Sequence, residues 1–288
     1  MSVAAVIPLY LGRDVIFDCL KSLQGGQEGV DISIVVVDDC SPDYAGDLVM
    51  ERFPNVTLIR NDTNLGYAAS VNNGLNSVDA EFILLLNQDT VVLPGAIRIL
   101  AEELEADQDL AAAAPQLIDF NGRVERSCRM LPNYFDVISH HLLLAYIFPK
   151  SKLFSRWKMG WFDHEERMPV QQPAFSAILL RRETIEQVGL LDERFRIFFN
   201  DVDYCKRIDG SGGRILFCPS SKVRHIRGQS TEQIPFRKIY NSHLGFIRYF
   251  LKHYRNPLYW IPNEVVILLL LLSGILRIIW QGVKRPFA

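Results

Sequence analysis

The chain has 288 residues, 49% hydrophobic and 22% charged, with a formal net charge of -2. That length buries a sizeable core in one large domain or two small ones, and the near-neutral balance removes general attraction to nucleic acid as a basis for function. Five scattered cysteines (Cys19, Cys40, Cys128, Cys205 and Cys218) form no CxxC pair, which argues against a disulfide framework or a zinc ribbon and for a reducing compartment.

Ser2–Tyr10 is apolar but lacks a basic start and contains Pro8, so it reads as a first strand (Val3–Ile7) and not as an export signal. Val15–Leu23 has apolar residues at helical spacing. Ile32–Val37 is a second, β-branched strand that ends in Asp38 and Asp39. A helix over Asp47–Phe53, a strand over Val56–Ile59 and a helix over Tyr67–Ser77, entered through Asn64-Leu65-Gly66, follow. Phe82–Leu86 is a fourth strand, and the polar turn Asn87-Gln88-Asp89 comes directly after it. This alternation predicts an α/β fold, a mostly parallel sheet flanked by helices, with ligands gathered at the carboxyl ends of its strands.

Ala111–Pro115 leads into a further strand, whereas residues 130–168 mix aromatic, proline and basic residues without a period and read as a mobile or acceptor-facing insertion. Regularity returns with a strand at Ala177–Leu180, a helix at Arg182–Val188, a helix opened by Asp201-Val202-Asp203 and a short last strand, Ile215–Phe217. From Pro235 to Asn263 there is no acidic residue, while Arg237, Lys238, Arg248, Lys252 and Arg255 fall in that stretch. The apolar run Val265–Leu276 is then interrupted by Arg277. A bilayer span needs roughly 20 apolar residues, so this shorter run, flanked by aromatic and basic residues, suits an interfacial helix, with a buried core helix as the alternative.

Three acidic clusters carry candidate chemistry. Asp38 and Asp39 are placed to accept hydrogen bonds from a base or ribose, and equally to form a turn. Asp89, held rigidly after a very apolar strand, is suited to a hard divalent cation that bridges to phosphates. Asp201 beside Phe195, Phe198 and Phe199 has the setting of a general base, although Asp201 and Asp203 also favour a helix start. His225 is a lone histidine on local evidence.

The order of these blocks resembles the family 2 glycosyltransferases of the GT-A fold, in particular their rhamnosyltransferase-like branch, over roughly residues 3–250. The matching blocks are Val6–Tyr10, Val35–Asp43, Asn61–Ala68, Leu84–Thr90, Gly189–Phe195, Asn200–Cys205 and His225–Ser230. The resemblance implies an inverting, metal-dependent transferase with nucleotide-binding residues Pro8, Tyr10, Asp38, Asp39, Asn64, Gly66 and Gln88. It implies Asp89 and His225 at a Mg²⁺ or Mn²⁺ site, Asp201 as the catalytic base, and Asp203 as its support or an acceptor contact. Three departures stand out: Asn87 in place of an acid, Asn200 in place of an acid, and Ala174-Phe175-Ser176-Ala177 where relatives carry a glycine-alanine pair.

The expected organisation is a GT-A domain over 1–235 (nucleotide part about 1–115, acceptor part about 116–235) and membrane-associating helices over 236–288. Expected partners are a nucleotide-diphosphate sugar, with dTDP-rhamnose favoured over a UDP-hexose or UDP-N-acetylhexosamine, a lipid-linked or polysaccharide acceptor, and the cytoplasmic face of a membrane, reached peripherally or monotopically. No nucleic-acid partner is expected, and an oligomer stays open. A non-catalytic nucleotide-sugar-binding scaffold is the alternative from another class, and the missing G-x-G-x-x-G argues against a dinucleotide-dependent oxidoreductase.

Overall fold

The computed structural model describes residues 1–25, 27, 29–226 and 235–284. The chain forms two compact units. The first comprises Met1–Cys128, Asp163–Arg196 and Asn200–Arg227; the second comprises Arg129–Phe162, Ile197–Phe199 and Gly228–Ala288.

The first unit is built on a mixed sheet. Its strands are β1 (Ser2–Leu9), β2 (Asp31–Asp38), β3 (Thr57–Arg60), β4 (Phe82–Leu86), β5 (Thr90–Val92), β6 (Leu110–Ile118), β7 (Met168–Val170), β8 (Ala177–Arg181) and β9 (Arg214–His225). They are arranged β3-β2-β1-β4-β8-β6-β9-β5, with β7 against β9. The expected parallel pairing holds for β3, β2, β1 and β4. Beyond β4 the sheet is mixed: β8 runs antiparallel to both β4 and β6, and β9 runs parallel to β6.

Burial explains the strand sequences. All five residues of β4 are buried, as a central strand covered on both faces requires. Along β1 the side chains alternate between faces. Val3, Ala5, Ile7 and Leu9 join a core with Ile16, Cys19, Leu20 and Leu23 of the helix Ile16–Gln24. Val6 points to the helix Tyr67–Leu75, where a Cβ on Gly74 would lie 2.4 Å from Val6 Cγ1, so only glycine allows that approach.

One expectation is corrected here. The last strand of this unit is not confined to Ile215–Phe217 but runs Arg214–His225, because a shift between Cys218 and Lys222 bulges out the polar residues that break the alternation and then resumes the pairing with β6. The turn after β4 is also followed at once by a strand, β5, which pairs antiparallel with the end of β9 in the register His225↔Thr90.

The second unit is helical. Residues 130–168, read from sequence as aperiodic, contain the helices Tyr134–His141 and Leu144–Ile147; the first opens on a reciprocal Asn133/Asp136 capping box. Pro235–His253 is an amphipathic helix, and Trp260–Lys284 is one continuous helix. Tyr134 stacks on Phe250 at 4.9 Å and donates to Asn263 Oδ1 at 2.8 Å. The apolar run is therefore longer than the sequence reading gave, since an arginine does not interrupt a helix. Pro257–Ile279 is long and apolar enough to cross a membrane by length and composition, and 22% of its most apolar window is buried.

Candidate active site

The parallel register gathers the loop ends on one edge of the sheet: Leu9 lies opposite Asp38, and Val6 opposite Leu85. The turns after β1, β2 and β4 therefore open on the same side, where ligands of open α/β sheets bind.

Two of these turns are locked together. Tyr10 N donates to Gln88 Oε1 at 2.8 Å, and Gln88 Nε2 donates back to Tyr10 O at 2.9 Å. Gly12 is required beside them, since a Cβ there would meet Gln88 Oε1 at 2.4 Å. Tyr10 itself is exposed, and Pro8 is half-buried. Gln88 thus shapes the loop that carries Tyr10 and is itself buried.

Asp39 organises a second loop. Its Oδ1 accepts from Leu65 N (2.8 Å) and Asn61 Nδ2 (2.9 Å), and its Oδ2 accepts from Gly66 N (2.8 Å). Gly66 has φ +94°, which favours glycine, and Arg196 Nη2 donates to Asn64 O at 2.7 Å. Asn64 is exposed at the tip. The Asp38 carboxylate accepts from Ser41 N at 2.9 Å and packs against Gly46. Burial pushes its pKa up, against the opposing pull of the Ser41 N–H. Both aspartates are buried and engaged by the chain's own N–H groups, so any ribose or base meets them beside this loop framework.

Asp89 and His225 are brought together by the β5–β9 pairing. Ile226 N donates to Asp89 O at 2.8 Å, and His225 Nε2 lies 3.6 Å from Asp89 Oδ1. That separation is too long for a hydrogen bond but is an ion-pair distance. On the other side of the ring, Nδ1 lies 3.1 Å from Glu125 Oε2. Burial alone would push the imidazole pKa down; the carboxylates of Asp89 and Glu125 overcome it and hold the pKa above the usual histidine value.

Among the described residues no group of three His, Cys, Asp or Glu side chains could hold a metal ion. Asp89 and His225 fit a different arrangement. Two ligands that each lie about 2.1 Å from one ion sit about 3–4 Å apart, and hard cations are commonly held by one or two protein groups with substrate phosphates completing the shell. Glu125 on the far ring nitrogen is the partner that metal-ligating histidines usually have.

Asp201 opens the helix Asn200–Gly210; its Oδ1 accepts from Val202 N at 2.9 Å and its Oδ2 from Gln172 Nε2 at 2.8 Å. Asp203 is different: its carboxylate is fully buried, and Arg207 Nε donates to it at 3.1 Å. Arg207 also donates to Leu190 O at 2.8 Å, so Asp203 fixes this helix to the preceding loop. The phenol of Tyr67 lies within electrostatic reach of both Asp201 and Asp89; burial first, then these two carboxylates, push its pKa up. Tyr67 OH donates to Phe175 O at 3.2 Å, and Asn87 Nδ2 reaches Ser176 Oγ at 3.4 Å, so the divergent Ala174–Ala177 segment borders the same region.

The sequence reading missed Glu125, Gln172 and Arg207 as site residues. Arg207 had a local signal, the i,i+4 spacing from Asp203. Glu125 and Gln172 had none, because their partners lie 100 and 29 residues away. The last matching block extends to Ser230, and its part beyond Ile226 lies outside the described residues.

The profile of a family described as Glycosyl transferase family 2 matches residues 4–159, more than half of the chain. The chain is 28% identical over 244 residues to an N-acetylglucosaminyl-diphospho-decaprenol L-rhamnosyltransferase of Mycobacterium tuberculosis, a match covering 80% of this chain and 79% of that protein. It is also 28% identical to the succinoglycan biosynthesis protein ExoO of Rhizobium meliloti, over 81% of this chain and 63% of that one. Among solved structures, the mannosyltransferase PcManGT from Pyrobaculum calidifontis, in complex with GDP-Man and Mn²⁺, superposes with a TM-score of 0.59 at 15% identity, over 98% of this chain and 75% of that one. At that identity the likeness speaks for the GT-A fold alone.

Proposed function

The chain belongs to glycosyl transferase family 2, and from that premise we propose that it is an inverting, divalent-metal-dependent transferase that moves rhamnose from dTDP-rhamnose to a lipid-linked acceptor. The observation that carries this reading is the contact of Asp89 with His225, with Tyr67 in reach of both Asp89 and Asp201. The rhamnosyl and lipid-linked details are supported by similarity, along 80% of the chain, to a protein named for L-rhamnosyl transfer to a diphospho-decaprenol acceptor.

The donor nucleotide binds against the Pro8–Tyr10 turn that Gln88 clamps and the Asn64–Gly66 loop that Asp39 holds. Asp89 and His225 hold Mg²⁺ or Mn²⁺, and the bound ion supplies neutralisation of the charge on the departing diphosphate. Asp201 takes the proton of the acceptor hydroxyl as its oxygen attacks the anomeric carbon in line with the leaving group, so that one displacement inverts the centre. Two donors, Gln172 Nε2 and Val202 N, fix the direction of its carboxylate. Asp203 supports the helix through its ion pair with Arg207.

The second unit brings the enzyme to the cytoplasmic face of a membrane, peripherally or monotopically. Along Trp260–Lys284 the residues Asn263, Val266, Leu270 and Gly274 face inward, while Ile261, Val265, Leu268, Leu272 and Leu276 form an exposed apolar stripe.

The test is binding and slow hydrolysis of dTDP-rhamnose, UDP-glucose, UDP-galactose and UDP-N-acetylglucosamine, each with and without Mg²⁺ or Mn²⁺. Metal-dependent binding and hydrolysis of dTDP-rhamnose over the others supports the proposal. Preference for a UDP sugar overturns the rhamnosyl assignment, and binding of every donor without turnover, even with membrane extract as acceptor, returns the scaffold reading.

A further inference from the structure

The second unit contains a cluster of buried polar ring atoms: among the described residues, Nδ1 of His140, both ring nitrogens of His141 and Nε1 of Trp157 have no hydrogen-bond partner. The rings are neighbours: His140 lies 5.2 Å from His141 and 5.3 Å from Trp157, centroid to centroid. His140 is only 8% exposed. Each buried polar group left unpaired costs free energy, and four in one place point to a ligand that satisfies them.

The charge around the cluster says which ligand. The charged side chains acting on His140 are Lys158, Arg277 and Arg129, all cations, and Arg277 acts on His141 and His243 as well. Burial first, and then these cations, hold both imidazoles well below the usual value, so they are neutral hydrogen-bonding groups. Of the acid on the same helix, Asp136, one oxygen is taken by Arg156 at 2.6 Å, while Oδ1 has no hydrogen-bond partner among the described residues. Arg277 lies within the apolar stretch Pro257–Ile279, where a charge calls for a counter-ion, and among the described residues no carboxylate pairs with it. Lys158 stands at the rim, its Nζ 3.1 Å from the hydroxyl of the exposed Tyr146. Cations, unpaired N–H donors and an exposed apolar helix face together match an anionic head on a long hydrocarbon chain.

We propose that this cluster binds the diphosphate of an isoprenoid-linked acceptor, with Arg277 and Lys158 taking its charge and the ring N–H groups of His140, His141 and Trp157 donating to its oxygens. The proposal rests on the lipid-linked acceptor of the preceding section and adds the place where its head is held.

The experiment uses the full chain in nanodiscs, with geranylgeranyl diphosphate as probe and ¹⁵N-labelled tryptophan as reporter. Geranylgeranyl diphosphate should bind and shift the indole N–H resonance of Trp157. Inorganic pyrophosphate should bind more weakly, and phosphatidylglycerol nanodiscs alone should leave the resonance in place. Arg277→Gln and, separately, Lys158→Gln should each weaken the probe by about tenfold, the size of one lost charge-assisted contact. Binding of the donor nucleotide reports that the other unit is intact. An unmoved Trp157 resonance, wild-type affinity in both variants, or an equal shift with phosphatidylglycerol alone overturns the site. Transfer to a diphospholipid acceptor whose KM is the same in the variants overturns the site while leaving the proposed function standing. Probe binding with the Trp157 shift, in a protein that transfers nothing to lipid-linked acceptors, supports the site and overturns the function.

Discussion

Glu125 Oε2 lies 3.1 Å from His225 Nδ1, on the side of the ring away from Asp89. The carboxylate fixes which nitrogen is left for Nε2 chemistry and which way the ring faces. Replacing Glu125 with alanine should therefore weaken Mn²⁺-dependent donor binding by roughly 10–100-fold, the usual cost of losing such a partner, while metal-free nucleotide affinity stays near wild type. Glu125→Gln, which still accepts a hydrogen bond, should recover part of the loss. Calorimetric titrations with and without Mn²⁺ measure both, and a loss that is equal with and without metal would speak for a purely structural role.

Asp201→Asn keeps the shape of the side chain, retains one acceptor oxygen for the Gln172 and Val202 donors where the carboxylate had two, and removes the proton acceptor. Turnover should fall by roughly 10²–10⁴-fold, the range of a general base. The donor dissociation constant should change little, because Asp201 acts on the acceptor hydroxyl. Parallel loss of donor binding and activity would remove Asp201 from the role of base.

Asp203, two residues on, should behave in the opposite way. Its carboxylate is fully buried against Arg207, whose side chain is 20% exposed. Asp203→Ala leaves the guanidinium without its partner and should cost about 3 kcal/mol of stability, towards the lower end for a broken buried pair because solvent reaches the arginine. Thermal melting should show the loss, and activity assayed well below the melting range should remain. Loss of turnover in a protein that melts normally would place Asp203 at the chemistry.

Much of this arrangement was legible because strand alternation and acidic turns are local signals. Phe82–Leu86 was read with its observed bounds, since an unbroken apolar run with polar neighbours has one reading, and Arg182–Val188 likewise ends at Gly189. The extent of β9 was hidden because its bulge breaks the period. Glu125 was invisible for a different reason: a carboxylate 100 residues from its histidine leaves no spacing to recognise. The region 130–168 also gave no period, since its helices are short and bury aromatic rings against residues more than a hundred positions later, as Tyr134 does with Phe250.

The histidine cluster makes stability depend on pH. Burial, reinforced by Lys158, His141, Arg277 and Arg129, pushes His140 down to about 3, and burial with Arg277 and His243 pushes His141 down to about 4. Both are neutral in the folded protein, whereas in the unfolded chain a histidine titrates near 6.5. The unfolded state therefore takes up protons that the fold refuses: the contribution is fully present above about pH 6.5 and is lost as pH falls below it. Urea unfolding without acceptor lipid should be level from pH 8 to 7 and weaken by pH 5, by about 2 kcal/mol for an imidazole as buried as His140. His140→Phe should flatten that slope, and an unchanged slope would assign it elsewhere.

Membrane association is best tested on the exposed stripe of the last helix, because removing the helix would also strip Asn263 from Tyr134 and Tyr254. Leu268 and Leu272 are 58% and 53% exposed and one turn apart, while Val266 before them and Leu270 between them are buried. Lysine at both exposed positions places two charges where acyl chains are expected and leaves the inward face unchanged; near the middle of a bilayer each charge costs about 3 kcal/mol. The double variant should move from the membrane pellet to the supernatant, with donor binding unaltered. If it still sediments with membranes, the basic, acid-free helix Pro235–His253 holds the protein there through anionic headgroups, and raising the salt should then release it. Retention at high salt as well would leave neither helix as the anchor.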